Sequence, residues 1–218
     1  MKSVVVLSGG MDSSVLAYWS KDQGDQVVAI TVLYGQRHVK ELDAARVICD
    51  RLGIKHEVAD LGGAAQLFAG SALTGTGEVP HGHYADESMK KTVVPNRNMV
   101  LLSLGIALAV REKAQRVLYG AHSGDHAIYP DCRPEYFRAM GQAAMRCDWE
   151  PIHLEAPFMD RDKAAIASLG NMLKVPFQET WSCYEGGELH CGKCGTCVER
   201  REAFQLANVS DPTMYREA

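Results

Sequence analysis

Residues 4–14 constrain this chain most. A β-branched run, Val4-Val5-Val6-Leu7, runs into a glycine pair within Ser8-Gly9-Gly10-Met11-Asp12-Ser13-Ser14, and helix-compatible residues continue to Lys21. Strand, tight turn and helix is the reading, with the strand buried. Two glycines let backbone N–H groups approach an anion, the hydroxyls of Ser8, Ser13 and Ser14 can donate, and a helix start adds a favourable partial charge. The spacing therefore predicts a phosphate cradle made of Leu7, Ser8, Gly9, Gly10, Met11, Asp12, Ser13 and Ser14. It lacks the lysine of the G-x-x-x-x-G-K-[ST] loop and does not match G-x-G-x-x-G. The plain alternative is a glycine–serine turn that only reverses the chain; the strand before it and the helix after it favour the cradle. Asp12 is the candidate partner for magnesium, which bridges phosphates through few protein ligands.

The alternation continues. Apolar runs at 27–32, 56–61, 116–119 and 152–156 predict further strands, and 39–52, 99–113, 134–145 and 161–173 predict helices, with another helix running to Leu206. This order predicts an α/β fold with a parallel, doubly wound sheet. One main unit is expected over 1–175 and a C-terminal helical, metal-binding segment over 176–218. Residues 62–92, rich in Gly, Ser, Thr and His, show no periodicity and are expected to form a functional or mobile cover that includes His81 and His83.

Composition narrows the function. With 218 residues, 46% of them apolar, the chain can bury a core without disulfide staples, which excludes disorder and collagen-like structure. Twenty-three Lys+Arg against 27 Asp+Glu, a net charge of −4 with no basic run, argues against a protein that grips nucleic acid through phosphates. The apolar stretch at 99–110 is interrupted by Ser103 and Gly105 and falls short of the roughly 20 residues that span a bilayer. A cytoplasmic protein acting on small molecules, with no membrane contact, is expected.

Four of seven cysteines lie at Cys183-x7-Cys191-x2-Cys194-x2-Cys197. Four thiolates at this spacing suit tetrahedral zinc, and a site closed by four sulfurs holds structure and does not activate water. Gly192 and Gly195 are expected to turn the chain so that N–H groups face sulfur, with His190 as a competing ligand. A redox pair among Cys191, Cys194 and Cys197, or an iron–sulfur cluster, are the alternatives.

Other candidates sit beside predicted strands. In Pro95-Asn96-Arg97-Asn98, Asn98 can cap the following helix and Arg97 can pair with phosphates or a substrate carboxylate. Asp125, Asp131 and Arg133 follow the strand at 116–119, and ligands of parallel sheets bind outside the carboxyl ends of strands. The plain readings are a surface ion pair for Asp131 and Arg133, packed rings for His122 and His126, and an inert thiol for Cys132.

SGGMDSS after a first strand resembles the SGGxDS loop of the ATP pyrophosphatases, which implies an adenine nucleotide alpha hydrolase-like fold. Together with VPNRN at 94–98, YPDCRPEY at 129–136, WSCY at 181–184 and CGKCGTCVERREAF at 191–204, the chain resembles the 7-cyano-7-deazaguanine synthases of queuosine biosynthesis over nearly its whole length. It departs from the family pattern at SGDHAI, 123–128, and over 62–92. The resemblance implies that 7-carboxy-7-deazaguanine, ammonia and two ATP become 7-cyano-7-deazaguanine, with AMP and diphosphate released twice. It also implies magnesium with ATP, structural zinc at the four cysteines and a homodimer. By resemblance Arg97 and Asn98 meet the nucleotide or the activated carboxylate, and Asp125, Asp131 and Arg133 the deazaguanine. The rivals are a tRNA-thiolating ATP pyrophosphatase and a zinc-stabilised nucleotide-binding module without turnover.

Overall fold

A computed structural model describes residues 1–75, 77–84 and 86–216. Thr76 of the glycine–threonine run and the last two residues of the C-terminal segment lie outside the described residues. The strands are β1 (Lys2–Val6), β2 (Gln26–Leu33), β3 (Lys55–Asp60), β4 (Arg116–Leu118) and β5 (His153–Glu155). They form one sheet in the order β3-β2-β1-β4-β5, with every neighbouring pair parallel. The helices are α1 (Met11–Asp22), α2 (Lys40–Leu52), α3 (Arg97–Glu112), α4 (Pro134–Ala144), α5 (Lys163–Met172) and α6 (Gly195–Leu206). The expected α/β class, parallel order and strand positions therefore hold.

Successive strand residues point to opposite faces, and both faces are apolar. Val5, Leu7, Val27, Ala29 and Leu118 bury against α1, α2, α5 and α6, where Val15, Ile48, Ile166 and Phe204 complete the layer. Val4, Val6, Val28, Ile30 and Val117 face the other way, against Leu102, Ile106 and Ala109 of α3 and Ala144 of α4. Each such branched side chain contributes roughly 1.5–3 kcal/mol by leaving water, so the two-sided burial of β1 and β2 anchors the sheet's centre. Among the described residues no helix is long and apolar enough to cross a membrane.

Two helix starts differ from expectation. α1 begins at Met11 and so takes in the second half of the predicted phosphate loop. Asn98 does not cap α3; it lies inside the first turn, buried, while Asn96 occupies the cap position at φ 53°, a left-handed conformation that asparagine tolerates. The cap comes from a distant residue, since an Asp131 carboxylate oxygen accepts the Asn98 N–H at 3.2 Å. The 62–92 region contains two 3-10 segments, Gly62–Phe68 and Glu87–Thr92, where loop was expected.

The C-terminal segment packs into the same core through Ala203 and Phe204. Arg200 of α6 is fully buried and donates to the Phe177 carbonyl (2.8 Å) and to the hydroxyls of Thr180 (2.9 Å), Ser182 (3.0 Å) and Thr213 (2.7 Å). Four acceptors around one guanidinium offset the cost of burying its charge.

Candidate active site and metal centre

Strand order reverses between β1 and β4, so the loops leaving these neighbours diverge and open a crevice at their carboxyl ends. The glycine–serine loop forms one side. Gly9 adopts φ +88°, and a Cβ there would overlap the Glu41 carbonyl oxygen and lie 2.7 Å from the Ala45 nitrogen, so only glycine lets α2 pack this close. The loop is stitched internally: the Ser8 hydroxyl accepts the Gly10 N–H (3.2 Å), and the Ser13 hydroxyl accepts the Ser8 N–H (3.2 Å). No side chain caps α1, so its first N–H groups remain available to an anion at the positive end of the helix.

Of the residues selected from sequence, Leu7, Ser8, Gly10, Met11, Asp12, Ser13, Arg97, Asn98 and Asp125 line this one crevice. Gly9 lies beneath the loop against α2, and Ser14 is fully buried. Asp131 and Arg133 are not among the lining residues. Asp131 caps α3, as above, and the Arg133 Nε donates to the His126 carbonyl at 2.9 Å, so both hold the crevice wall from behind.

One end of the crevice is densely charged. Lys163, at the start of α5, lies 3.1 Å from Asp12 and 2.6 Å from Glu199 of α6. Burial raises the Asp12 pKa, but Lys163 and His122 outweigh it and hold the carboxyl below its ordinary range. Burial lowers the Lys163 pKa, but Asp12 and Glu199 reverse this, so the ammonium stays charged. The Asp12 Oδ1 is buried with no hydrogen-bond partner. An ionised carboxylate oxygen left free beside a phosphate cradle fits hydrated magnesium. Asp125 accepts the Tyr84 hydroxyl at 3.0 Å and the His122 N–H at 3.2 Å.

Much of the remaining lining is aromatic. Tyr34, Tyr84, Tyr119, Tyr129 and Tyr184 contribute to it, and the Arg97 guanidinium sits 5.8 Å from the centre of the Tyr34 ring. Asn98 donates to the Cys132 sulfur at 3.3 Å, and burial pushes that thiol up to about 12, leaving it inert at neutral pH. Sequence reasoning missed Lys163, Glu199, Glu41 and these tyrosines. A usable signal existed for three of them: Tyr34, Tyr119 and Lys163 follow closely on the carboxyl ends of β2, β4 and β5.

Behind the loop, the sulfurs of Cys183, Cys191, Cys194 and Cys197 all lie within 4.8 Å of one another, and all four residues are buried. A tetrahedral ion with bonds of about 2.3 Å sets its sulfurs about 3.8 Å apart, close to the 3.9 Å between Cys191 and Cys197. That spacing suits one ion. Backbone N–H groups donate to sulfur from Cys191 (3.3 Å), Lys193 (3.4 Å) and Cys194 (3.2 Å), with Gly192 turning the chain at φ +74°. Gly195 does not make a second turn; it opens α6 and packs against the Met89 sulfur, where a Cβ would come within 2.7 Å. His190 is not part of the group: its ring stacks on Trp181 and its Nε2 accepts the Ser182 N–H at 3.2 Å. Trp181 joins the two sites, because its indole donates to the Cys183 carbonyl and its backbone N–H to the Gly9 carbonyl, both at 2.9 Å.

The family model described as queuosine biosynthesis protein QueC matches residues 2–208. The chain is 52% identical over 215 residues to a protein from Caldicellulosiruptor saccharolyticus named 7-cyano-7-deazaguanine synthase, covering 99% of this chain and 96% of that one. It is 50% identical over 214 residues to 7-cyano-7-deazaguanine synthase 1 of Colwellia psychrerythraea, covering 98% of each. Among solved structures, the U34-tRNA thiolase NcsA from Methanococcus maripaludis with its [4Fe-4S] cluster matches with a TM-score of 0.52 at 16% identity, covering 95% of this chain and 65% of that one. At that identity the likeness is one of fold.

Proposed function

The chain belongs to the QueC family of queuosine biosynthesis proteins, and from that premise we propose that it converts 7-carboxy-7-deazaguanine and ammonia to 7-cyano-7-deazaguanine at the expense of two ATP. The observation that carries this reading is near full-length identity of about half to proteins named for that synthesis. The crevice supports it, with the phosphate cradle and Tyr34, Tyr84, Tyr119, Tyr129 and Tyr184 in one lining.

A carboxylate resists ammonia because an oxide would have to leave. Adenylation turns that oxygen into a leaving group, ammonia forms the amide, and a second adenylation of the amide oxygen lets AMP depart as the nitrile forms. Both activations deliver the same group to nearly the same place, so one cradle serves twice. The N–H groups at the start of α1, with Ser8 and Ser13, hold the departing diphosphate, and Lys163 supplies a fixed positive charge beside it. Asp12 would hold magnesium, which would offset the diphosphate's remaining charge. Arg97 pairs with the substrate carboxylate, and the lining tyrosines pack against the planar ring. Asp125 accepts from the guanine-like N–H edge. Asp131 and Arg133 act indirectly, by fixing the start of α3 and the 123–127 turn.

The four cysteines would hold zinc, which would fix Trp181, Ser182, Tyr184 and Thr196 in the crevice wall. A homodimer in the reducing cytoplasm completes the reading, in keeping with seven cysteines that form no disulfide. The test is mass spectrometry of the protein incubated with 7-carboxy-7-deazaguanine, ammonium, magnesium and ATP. Nitrile with two AMP per product is expected; ATP cleavage without a deazaguanine product, or no cleavage by metal-replete protein, overturns the proposal.

A further inference from the structure

Three carboxylates line the crevice: Asp12, Glu41 and Asp125. Asp12 pairs with Lys163 through Oδ2 and keeps Oδ1 for magnesium, and Asp125 accepts from Tyr84 and the His122 N–H. Glu41, in the first turn of α2, is half-buried, and its carboxylate has no hydrogen-bond or ion-pair partner among the described residues. The charged and titratable groups that face it are Arg97 from α3 and the Tyr34 phenol from the segment after β2. Burial pushes the Glu41 carboxyl up to about 7, with Arg97 opposing. A free carboxyl poised near neutral pH and open to a substrate crevice is suited to moving a proton.

Amide formation needs an acceptor for a nitrogen proton, and Glu41 is the lining carboxylate without a hydrogen-bond or ion-pair partner among the described residues. His122 is fully buried and is not a lining residue; its Nδ1 accepts the Gly124 N–H at 3.1 Å and its Nε2 faces Asp12 and Asp125. The Cys132 thiol at about 12, and Tyr34, Tyr84, Tyr119 and Tyr184, all raised by burial, keep their protons at neutral pH. Lys163 stays charged between two carboxylates.

We propose that the Glu41 carboxylate is the proton acceptor for the incoming nitrogen, a role that rests on the synthase reading above. The ammonia lone pair forms the C–N bond at the adenylated carboxyl carbon, and the C–O bond to the adenylyl oxygen breaks. That electron pair leaves with AMP, and the proton shed by nitrogen passes to Glu41, which returns it to water.

The test compares three reactions in one preparation of Glu41→Gln: ATP–diphosphate exchange with 7-carboxy-7-deazaguanine and no ammonia, amide formation from ammonia, and hydroxamate formation from hydroxylamine, whose nitrogen sheds its proton more readily. Amide formation is expected to fall on the order of 100-fold more than exchange, with hydroxamate formation much less affected and Glu41→Asp recovering part of the loss. At constant free ammonia the unaltered enzyme loses rate as pH falls through about 7, and Glu41→Gln lacks that limb. Equal losses in exchange and amide formation, or amide formation that survives, overturn the role. Absence of exchange in the unaltered enzyme overturns the synthase reading and this inference with it. Should the variant fail to fold, the unaltered enzyme decides: a limb near 7 with ammonia that is absent with hydroxylamine supports Glu41, and no such limb with ammonia overturns it.

Discussion

The glycine–serine loop and the four-cysteine knot lie a single tryptophan apart, yet they are held in shape by different means. The loop is fixed by its surroundings: Gly9 is pressed against α2, the two serine hydroxyls close hydrogen bonds within it, and β1 beneath it is buried on both faces. The knot has four thiols within 4.8 Å of one another and a few N–H donors, with Trp181, Ala44 and Val79 as its apolar neighbours. Crowded sulfurs gain little from such packing and much from a shared ion. A binding loop can thus be rigid without its ligand, whereas the cysteine knot, with few apolar neighbours of its own, is expected to depend on a bound ion.

Metal removal is expected to have the largest effect. Cys194→Ser, or chelation of the unaltered protein, should release one ion per chain and lower the melting temperature by about 10 °C. An unchanged melting temperature with the metal gone would show that packing alone holds the knot and erase the contrast. Next comes Gly9→Ala, which forces a side chain into a left-handed conformation and onto the α2 backbone. It should cut AMP formation by about 100-fold, the scale of a misplaced positioning element, and leave metal content at one ion per chain. Loss of metal in this variant would mean that the two regions are one structural unit.

Much of this contrast was legible in the sequence, and the reasons are local. A β-branched run that ends at a glycine pair and is followed by a helix has few outcomes, and four cysteines within fifteen residues must meet. The charged end of the crevice was less legible. Lys163 and Glu199 sit in helices, where a charged residue reads as a solvated face, and only the packing of α5 on α6 brings them together beside Asp12. Asp131 shows the converse: its sequence position beside β4 is right for a ligand contact, but its carboxylate is engaged in capping α3. Asn98, read as that cap, is a buried wall residue, because Asn96 takes the turn two positions earlier.

Lys163→Met sharpens the comparison from the side of charge. It removes a counter-ion from Asp12 while leaving the backbone of the loop and the knot alone. AMP formation should fall by about 100-fold, the usual cost of one preorganised charge. The pH profile of ATP–diphosphate exchange without ammonia, a step that does not involve Glu41, should move as well. Lys163 holds the Asp12 carboxyl below its ordinary range, so the ionised form survives into acid; without that ammonium, protonation begins at higher pH and the acidic limb shifts upward. A profile of unchanged shape would place the effect of Lys163 elsewhere.

The smallest expected effect probes the junction itself. Trp181→Phe deletes the indole N–H that donates to the Cys183 carbonyl but keeps the backbone N–H that donates to Gly9. One lost hydrogen bond to a buried acceptor costs about 1 kcal/mol, which in a chain of this size lowers the melting temperature by about 2–4 °C. Because the bond to Gly9 survives, the KM for ATP should rise by less than about threefold, whereas transmission through the side chain would raise it as far as metal loss does. Combining Trp181→Phe with Cys194→Ser makes the point quantitative. Once the ion is gone the Cys183 carbonyl is no longer held in place, so the tryptophan substitution should cost less in that background than alone, and the shortfall measures how firmly the knot presses on the loop.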